Sequence, residues 1–318
     1  MSRCIQLVRN EQMKLYLLRS TWIMLGILLL LLIGSGILIK ALEEEDPRIA
    51  TDEWRIALEE ENAELEQGMP EQESFASFNG LIIQENNFYL ENDIQPTKYG
   101  ALHFVYENSI FILLVGLFSI IVASGIVANE HRWGTIKLLL IRPITRTTIL
   151  FSKYVSVLLF TLTITLALVI GLFLVGLPLF GFEGSSPKIL ITTSDGSLEL
   201  VSLYKEIFAM FAYPFIEIII LATLAFMIST IFKNNAMALA TTLFFLFTGQ
   251  QIYLWFEKYS WSKFILFAHT DLSQYSIAGT PMVDGGTLPF SLIVIAVYYA
   301  LFLFLAWIIF AKRDVAGD

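Results

Sequence analysis

An all-α membrane protein with six transmembrane helices is the fold class this sequence predicts, and three observations predict it. Of 318 residues, 56% are hydrophobic and only 15% are charged, whereas a soluble domain carries about a quarter charged residues. Mean hydropathy is +0.68. Six stretches with few or no charges reach the ~20 residues that span a hydrocarbon core of about 30 Å. They run Ser20–Ile39, Asn108–Asn129, Tyr154–Phe182, Ile207–Phe232 (interrupted only by Glu217), Asn234–Phe256 and Gly285–Ala311. Together they hold nearly half of the chain, which excludes a soluble enzyme with a single anchor.

Charge orients these spans. The net charge is −9, and 17 of the 29 acids lie between Lys40 and Glu107 with only four basic residues. That segment is strongly acidic and the rest of the chain slightly positive, with no clustered basic face of the kind nucleic acid needs. Lys and Arg in short loops favour the cytoplasm. Before the first span stand Arg3, Arg9, Lys14 and Arg19 against Glu11 alone. Six spans then bring Arg132, Lys137, Arg142, Arg146 and Lys153 to the same side, with Lys233, Lys312 and Arg313. Both termini are therefore expected in the cytoplasm. Ile39 is followed by Lys40 and acids rather than a small-residue cleavage site, so the first span is expected to be retained.

Between the spans, Asp52–Gln67 is rich in helix-forming Ala, Leu, Glu and Gln and predicts a short acidic external helix, read as a solvated face. Lys188–Thr193, between Gly-Ser-Ser-Pro and Ser-Asp-Gly turns, predicts a small external hairpin. Glu257–Asp284, with Trp255, Tyr259 and Trp261, suits the headgroup region. Gly34-Ser35-Gly36 lies inside the first span, where small residues let helices pack closely.

Chemistry-bearing motifs exclude several classes. No Gly-Lys pair exists, so the phosphate loop of an ATPase is absent. His103, His131 and His269 stand far apart, without the H-E-x-x-H spacing of zinc peptidases. Cys4 is the only cysteine, which excludes cysteine-rich metal sites and an intramolecular disulfide. No nucleophile elbow occurs, and no metal site is expected. Glu217 is the one ionisable residue well inside a span. Such groups face a cavity or a partner: either a substrate contact, or an interhelical hydrogen bond to a Thr or Asn of a neighbouring span. Pro214 beside it removes a backbone hydrogen bond.

The loop after the second span is the most informative stretch. Read as a helix from Ala128 on, Trp133, Ile136 and Leu140 share one face flanked by Arg132 and Lys137, and Pro143 stops it. A short amphipathic helix pinned between two spans suits docking into a partner groove.

Here the residues resemble a family. Glu130, Gly134, Thr135, Leu139, Pro143, Arg146 and Lys153 look like the E-x-x-x-G-T-x-x-x-L-x-x-x-P-x-x-R signature of ABC-2 type transporter permeases, including those of bacterial drug and bacteriocin exporters. The opening Val8-Arg9-Asn10-Glu11-Gln12-Met13-Lys14, followed by Trp22, is similar to the N-E-x-x-K opening of the same family. The resemblance implies a single transmembrane domain over 1–318. Residues 1–19 would be an interfacial elbow helix, and spans would lie at 20–42, 108–129, 154–180, 207–232, 234–256 and 289–311. Between them would fall an acidic external loop at 43–107, a coupling loop at 130–153, an external loop at 181–206 and a re-entrant or interfacial segment at 257–288. A cytoplasmic tail, 312–318, would follow.

It further implies that Glu130, Arg132, Gly134, Thr135, Lys137, Leu138, Arg142, Pro143 and Arg146 lie at or near the contact with a separate ATP-binding subunit. That subunit would hold ATP and magnesium and carry out hydrolysis, leaving this chain without catalytic residues or cofactor of its own. The chain would pair with a second copy or a homologous permease in the bacterial plasma membrane and export an amphiphilic or peptidic compound, such as a drug or antimicrobial peptide. The long first external loop departs from the shortest members, so its role is not inherited. The competing expectation is a membrane protein that uses no ATP. It would be a proton-coupled transporter working through Glu217, or a ligand sensor working through the acidic loop.

Overall fold

The computed structural model describes residues 2–42, 53–67, 73–135, 144–182 and 187–312. Among them are six helices long and apolar enough to cross a membrane, and the chain is a helical, multi-pass membrane protein. Helix α1, Ser2–Leu17, is followed after the single residue Leu18 by α2, Arg19–Leu42. Next come α3, Trp54–Gln67, and α4, Glu73–Glu91. Helix α5, Ala101–Glu107, runs through a 3-10 turn, Asn108–Phe111, into α6, Ile112–Arg132. Helix α7 is Arg146–Phe180, and a hairpin of β1, Lys188–Thr192, and β2, Leu198–Ser202, follows. The chain continues with α8, Leu203–Phe232, α9, Asn235–Phe256, and, after three 3-10 turns between Ser262 and Tyr275, α10, Leu288–Lys312.

Two helices run past the ends of the expected spans. The second expected span, 108–129, lies within a helical run from Ala101 to Arg132, and the third, 154–180, lies within a helix that begins at Arg146. Both helices continue through the charged residues that bound the uncharged stretches, Glu107, Glu130 and Lys153. The acidic segment contains α4, unforeseen, beside the expected helix α3.

The chain sorts into two compact units. One comprises Leu32–Glu107 and Leu172–Phe208. In it α3 and α4 pack together; Trp54 and Leu58 are buried, and the buried Asn86 amide donates to Glu61 Oε2 and Asn62 Oδ1, both at 2.9 Å. Arg55 lies over the Trp54 ring and pairs with Asp93. Phe104 stacks on Phe180 at 5.4 Å, while strands β1 and β2 pair antiparallel with Lys188 opposite Ser202. Of the small residues in the first span, Gly36 faces Val175 and Leu179, whose side chains stand 2.8 Å from where a Cβ would sit; Gly34 faces open space.

The other unit holds Met1–Leu31, Asn108–Gly171 and Ala209–Asp318. Helix α9 packs against α6, tied by polar bonds that apolar surroundings leave without competing water. Ser124 donates to Asn235 Oδ1 at 2.7 Å, and from α8 Ser229 donates to the Ser124 carbonyl at 2.6 Å. Tyr154 joins α7 to α8 and α10 through Thr223, 2.8 Å, and Tyr299, 2.9 Å. Helices α8 and α9 are joined by two residues. Lys233 takes φ 53°, and Asn234 caps α9 by accepting from the Met237 amide at 3.1 Å; an asparagine at that position satisfies an otherwise orphaned donor.

The glycine geometry gives a direct comparison. Gly36→Leu overfills its contact and lowers stability by about 1–3 kcal/mol, whereas Gly34→Leu changes it by about 0.5 kcal/mol or less. Thermal unfolding in detergent checks this, and equal effects at the two positions would contradict the packing described.

Candidate functional site

Three helices of one unit bring four charged side chains to a single point. Along α1 the buried side runs through Val8, Glu11 and Leu15, at helical spacing, and so turns the helix's one acid inward. Helix α1 is held against α7 by Gln12, which donates to the Ser156 carbonyl at 2.8 Å, and by the Tyr16–Phe160 ring contact. Lys153, two turns into α7, is 1% exposed at its side chain; its Nζ donates to Glu11 Oε2 at 2.7 Å and to Glu130 Oε1 at 3.0 Å. Lys14 Nζ donates to Glu11 Oε1 and to the same Glu130 Oε1, each at 2.8 Å. Two carboxylates and two ammonium groups thus alternate, neutralising one another. Removing two opposed pairs of ions from water is costly unless each is hydrogen-bonded, and here every one is.

The peptide geometry after α6 completes the cluster. Helix α6 ends because Gly134 adopts φ +71°, with the Trp133 amide donating to the Asn129 carbonyl at 2.9 Å and the Gly134 amide to that of His131 at 3.1 Å. A left-handed glycine just past a helix end is a standard stop. It reverses the chain so that the Thr135 hydroxyl donates back to Glu130 Oε2 at 2.8 Å. The spacing of Glu130, Gly134 and Thr135 therefore has a physical reason: the glycine turns the chain and the threonine satisfies the remaining carboxylate oxygen. Burial alone would lower the Lys14 pKa, but hydrogen bonds to Glu11 and Glu130 and their negative charge outweigh it and hold it above 10.5. Its contribution is lost only as pH rises past that value.

The expected helix from Ala128 to Pro143 is interrupted: residues 133–135 form a turn, because Gly134 leaves the helical conformation, and residues 136–143 lie outside the described residues. Arg132 and Trp133 are exposed at this turn, with the guanidinium 5.7 Å from the ring centroid. Lys137, Leu138, Arg142 and Pro143 lie outside the described residues. Arg146 is the first residue of α7, whose start is capped by Thr145 accepting from the Thr148 amide at 3.3 Å. Sequence reasoning put Glu130 at the partner contact and placed Lys153 with the motif but outside that contact. It missed that Glu11 and Lys14 join them, because nothing in spacing connects residues more than a hundred positions apart.

Glu217 lies half-buried on α8, with Thr270 and the charge of Asp271, both from the segment after α9, near its carboxylate. The Thr270 hydroxyl itself donates to the Phe267 carbonyl at 3.4 Å. Next to Thr270, His269 is buried; its Nδ1 is 2.6 Å from Ser291 Oγ and its Nε2 2.8 Å from the Lys263 carbonyl. A carbonyl only accepts, so Nε2 carries the proton and Nδ1 accepts from Ser291. Ser291 Oγ is also 2.7 Å from the Tyr275 hydroxyl. Burial holds the His269 pKa below 6.5, against the raising effect of the Lys263 carbonyl.

Comparison with known proteins places this architecture in a family. A family model described as "Protein of unknown function (DUF2705)" matches residues 74–316. "Uncharacterized protein YhcI" of Bacillus subtilis (strain 168) is 38% identical over 316 residues, covering 98% of this chain and all of its own length. "Uncharacterized membrane protein YdbK" of the same organism is 31% identical over 213 residues, 66% of this chain and 81% of that protein. The chain belongs to the DUF2705 family.

Two outcomes follow from the geometry. Lys153→Met leaves two buried carboxylates short of a partner and lowers stability by about 3–5 kcal/mol, while Lys14→Met, at a half-exposed position, costs about 1 kcal/mol or less. Denaturant unfolding in micelles compares them, and equal losses would remove the asymmetry. The depressed His269 pKa means that the neutral ring's stabilisation is complete above 6.5 and is lost as pH falls through the lower folded value. The melting temperature of the natural protein should thus fall, as pH is lowered below 6.5, more steeply than that of His269→Gln, and parallel curves would refute the assignment.

Proposed function

We propose that this member of the DUF2705 family is the membrane-spanning permease subunit of an ABC-2 type transporter. One observation carries the reading. The two stretches whose residues resemble that family, Asn10–Lys14 and Glu130–Lys153, lie far apart in sequence, yet Glu11 and Lys14 of the first meet Glu130 and Lys153 of the second in one buried cluster. A chance likeness of two short motifs gives no reason for them to touch.

In this reading α1 is an interfacial elbow, and the exposed turn at Arg132 and Trp133, with the residues that follow to Arg146, seats on a separate ATP-binding subunit that holds ATP and magnesium. Movement of that subunit reaches the membrane through the ionic cluster, which couples the turn to α1 and α7 as one body. Packed helices of this kind switch between discrete arrangements rather than deform. The chain works in a bacterial plasma membrane with both termini in the cytoplasm, beside a second copy or a homologous permease. Its cargo is an exported amphiphilic or peptidic compound. The competing reading, a membrane protein independent of ATP, would put the work at Glu217 or at the acidic segment.

The test is purification of the tagged chain from its native membrane, with ATPase activity assayed alongside. An ATP-hydrolysing subunit should accompany the natural chain and be lost with Arg132→Glu, which alters an exposed side chain outside the cluster. Glu217→Gln should leave association and coupled hydrolysis unchanged. Intact protein unaccompanied by any ATP hydrolysis would overturn the proposal.

A further inference from the structure

We infer that the outward side of α1 is a lipid-binding face that lies in the headgroup layer beside α2 and selects anionic lipid. This deepens the permease reading, on whose interfacial elbow it rests, by naming the class of lipid that the helix selects; loss of the lipid preference would leave association with an ATP-binding subunit standing, so the two fail separately. With Val8, Glu11 and Leu15 turned inward, the opposite side presents Ile5, Arg9, Met13 and Leu17 at steps of four residues. The three apolar members are 67%, 53% and 78% exposed, and Arg9 is exposed as well.

Two features say what covers this face. The first is continuity with a surface that already meets lipid. Leu18 and, on the candidate membrane span α2, Trp22 and Ile23 are exposed apolar residues. The junction between the helices is pinned: Thr21 Oγ1 donates to the Leu15 carbonyl at 2.6 Å and Trp22 Nε1 to the Tyr16 carbonyl at 2.9 Å. Helix α1 is thereby held at the end of a span, where an amphipathic helix buries its apolar residues at the boundary of headgroups and acyl chains.

The second is charge. Glu11, the only acid of α1, is withdrawn into the ionic cluster and neutralised there by Lys14 and Lys153. The exposed side therefore offers Arg9, and Arg19 at the start of α2, with no carboxylate from α1 beside them. Arginines among apolar residues lay their stems along the acyl boundary and extend the guanidinium to the headgroups, where anionic phosphate surfaces attract them.

The full chain, carrying Cys4→Ser and Met13→Cys labelled with a bimane fluorophore, is placed in nanodiscs. These contain a fixed fraction of spin-labelled lipid, either phosphatidylglycerol or phosphatidylcholine. Quenching should occur with both and should report about fivefold enrichment of the anionic lipid per arginine. Arg9→Gln with Arg19→Gln should abolish the preference, and Arg9→Lys with Arg19→Lys should retain it. Equal quenching by the two lipids in the natural background would overturn the inference. So would quenching by iodide from the aqueous phase instead of by lipid, which would place the face in water. Protection from both quenchers would mean that a second copy of the chain covers it, and would overturn the inference equally.

Discussion

Lys153 cannot be where it is without Glu11 and Glu130. An ammonium group removed from water is tolerable only when opposite charges and hydrogen bonds surround it, and this one sits inside a helix long and apolar enough to cross a membrane. That requirement fixes more than one side chain. It sets the rotation of α1, because Glu11 must point inward. It sets where α6 stops, because Glu130 must lie in the last turn with Thr135 folded back onto it, and it sets the register of α7. Replacing the cluster with apolar residues could give a stable body, but it would not demand this one arrangement of three helices.

Elsewhere the same unit uses polar side chains sparingly and at junctions. Ser124, Ser229 and Asn235 join α6, α8 and α9, and Tyr154 with Thr223 and Tyr299 joins α7, α8 and α10. Between apolar surfaces that any lipid chain could also cover, hydrogen bonds and close packing are what distinguish one helix pairing from another. The segment after α9 follows this logic with His269, whose two ring nitrogens connect a carbonyl of its own loop to Ser291 on α10.

The helices were legible because uncharged length in a bilayer leaves little choice, and the hairpin because its turn residues announce it. What charge does not mark is where the helices end, since they run on through Glu107, Glu130 and Lys153. Charge was read as a sign of water, and at Glu130 and Lys153 it instead signals a partner. The partner was invisible because the pairing of Glu11 with Lys153 is set by how α1 lies on α7, a tertiary fact with no periodic trace along the chain. Gly134 stands in the motif, but its positive φ, and so the break in the expected amphipathic helix, depends on a backbone conformation that spacing alone does not reveal. Of the contact residues expected from family resemblance, Glu130, Arg132, Gly134, Thr135 and Arg146 now have places, and Lys137, Leu138, Arg142 and Pro143 lie outside the described residues.

The two-residue link between α8 and α9 bears on how the protein is made. Lys233 and Asn234 are all that separates a helix of 30 residues from one of 22, and Lys233 spends a left-handed conformation on closing that gap. So short a link holds the adjoining ends of the two helices within a few residues' reach of each other. Helix α9 is also the least apolar of the candidate spans, and the one with most to gain from entering beside a neighbour. The two helices are thus one hairpin unit, and a charge added to α9 burdens α8 as well, since neither can settle in the bilayer without the other close beside it.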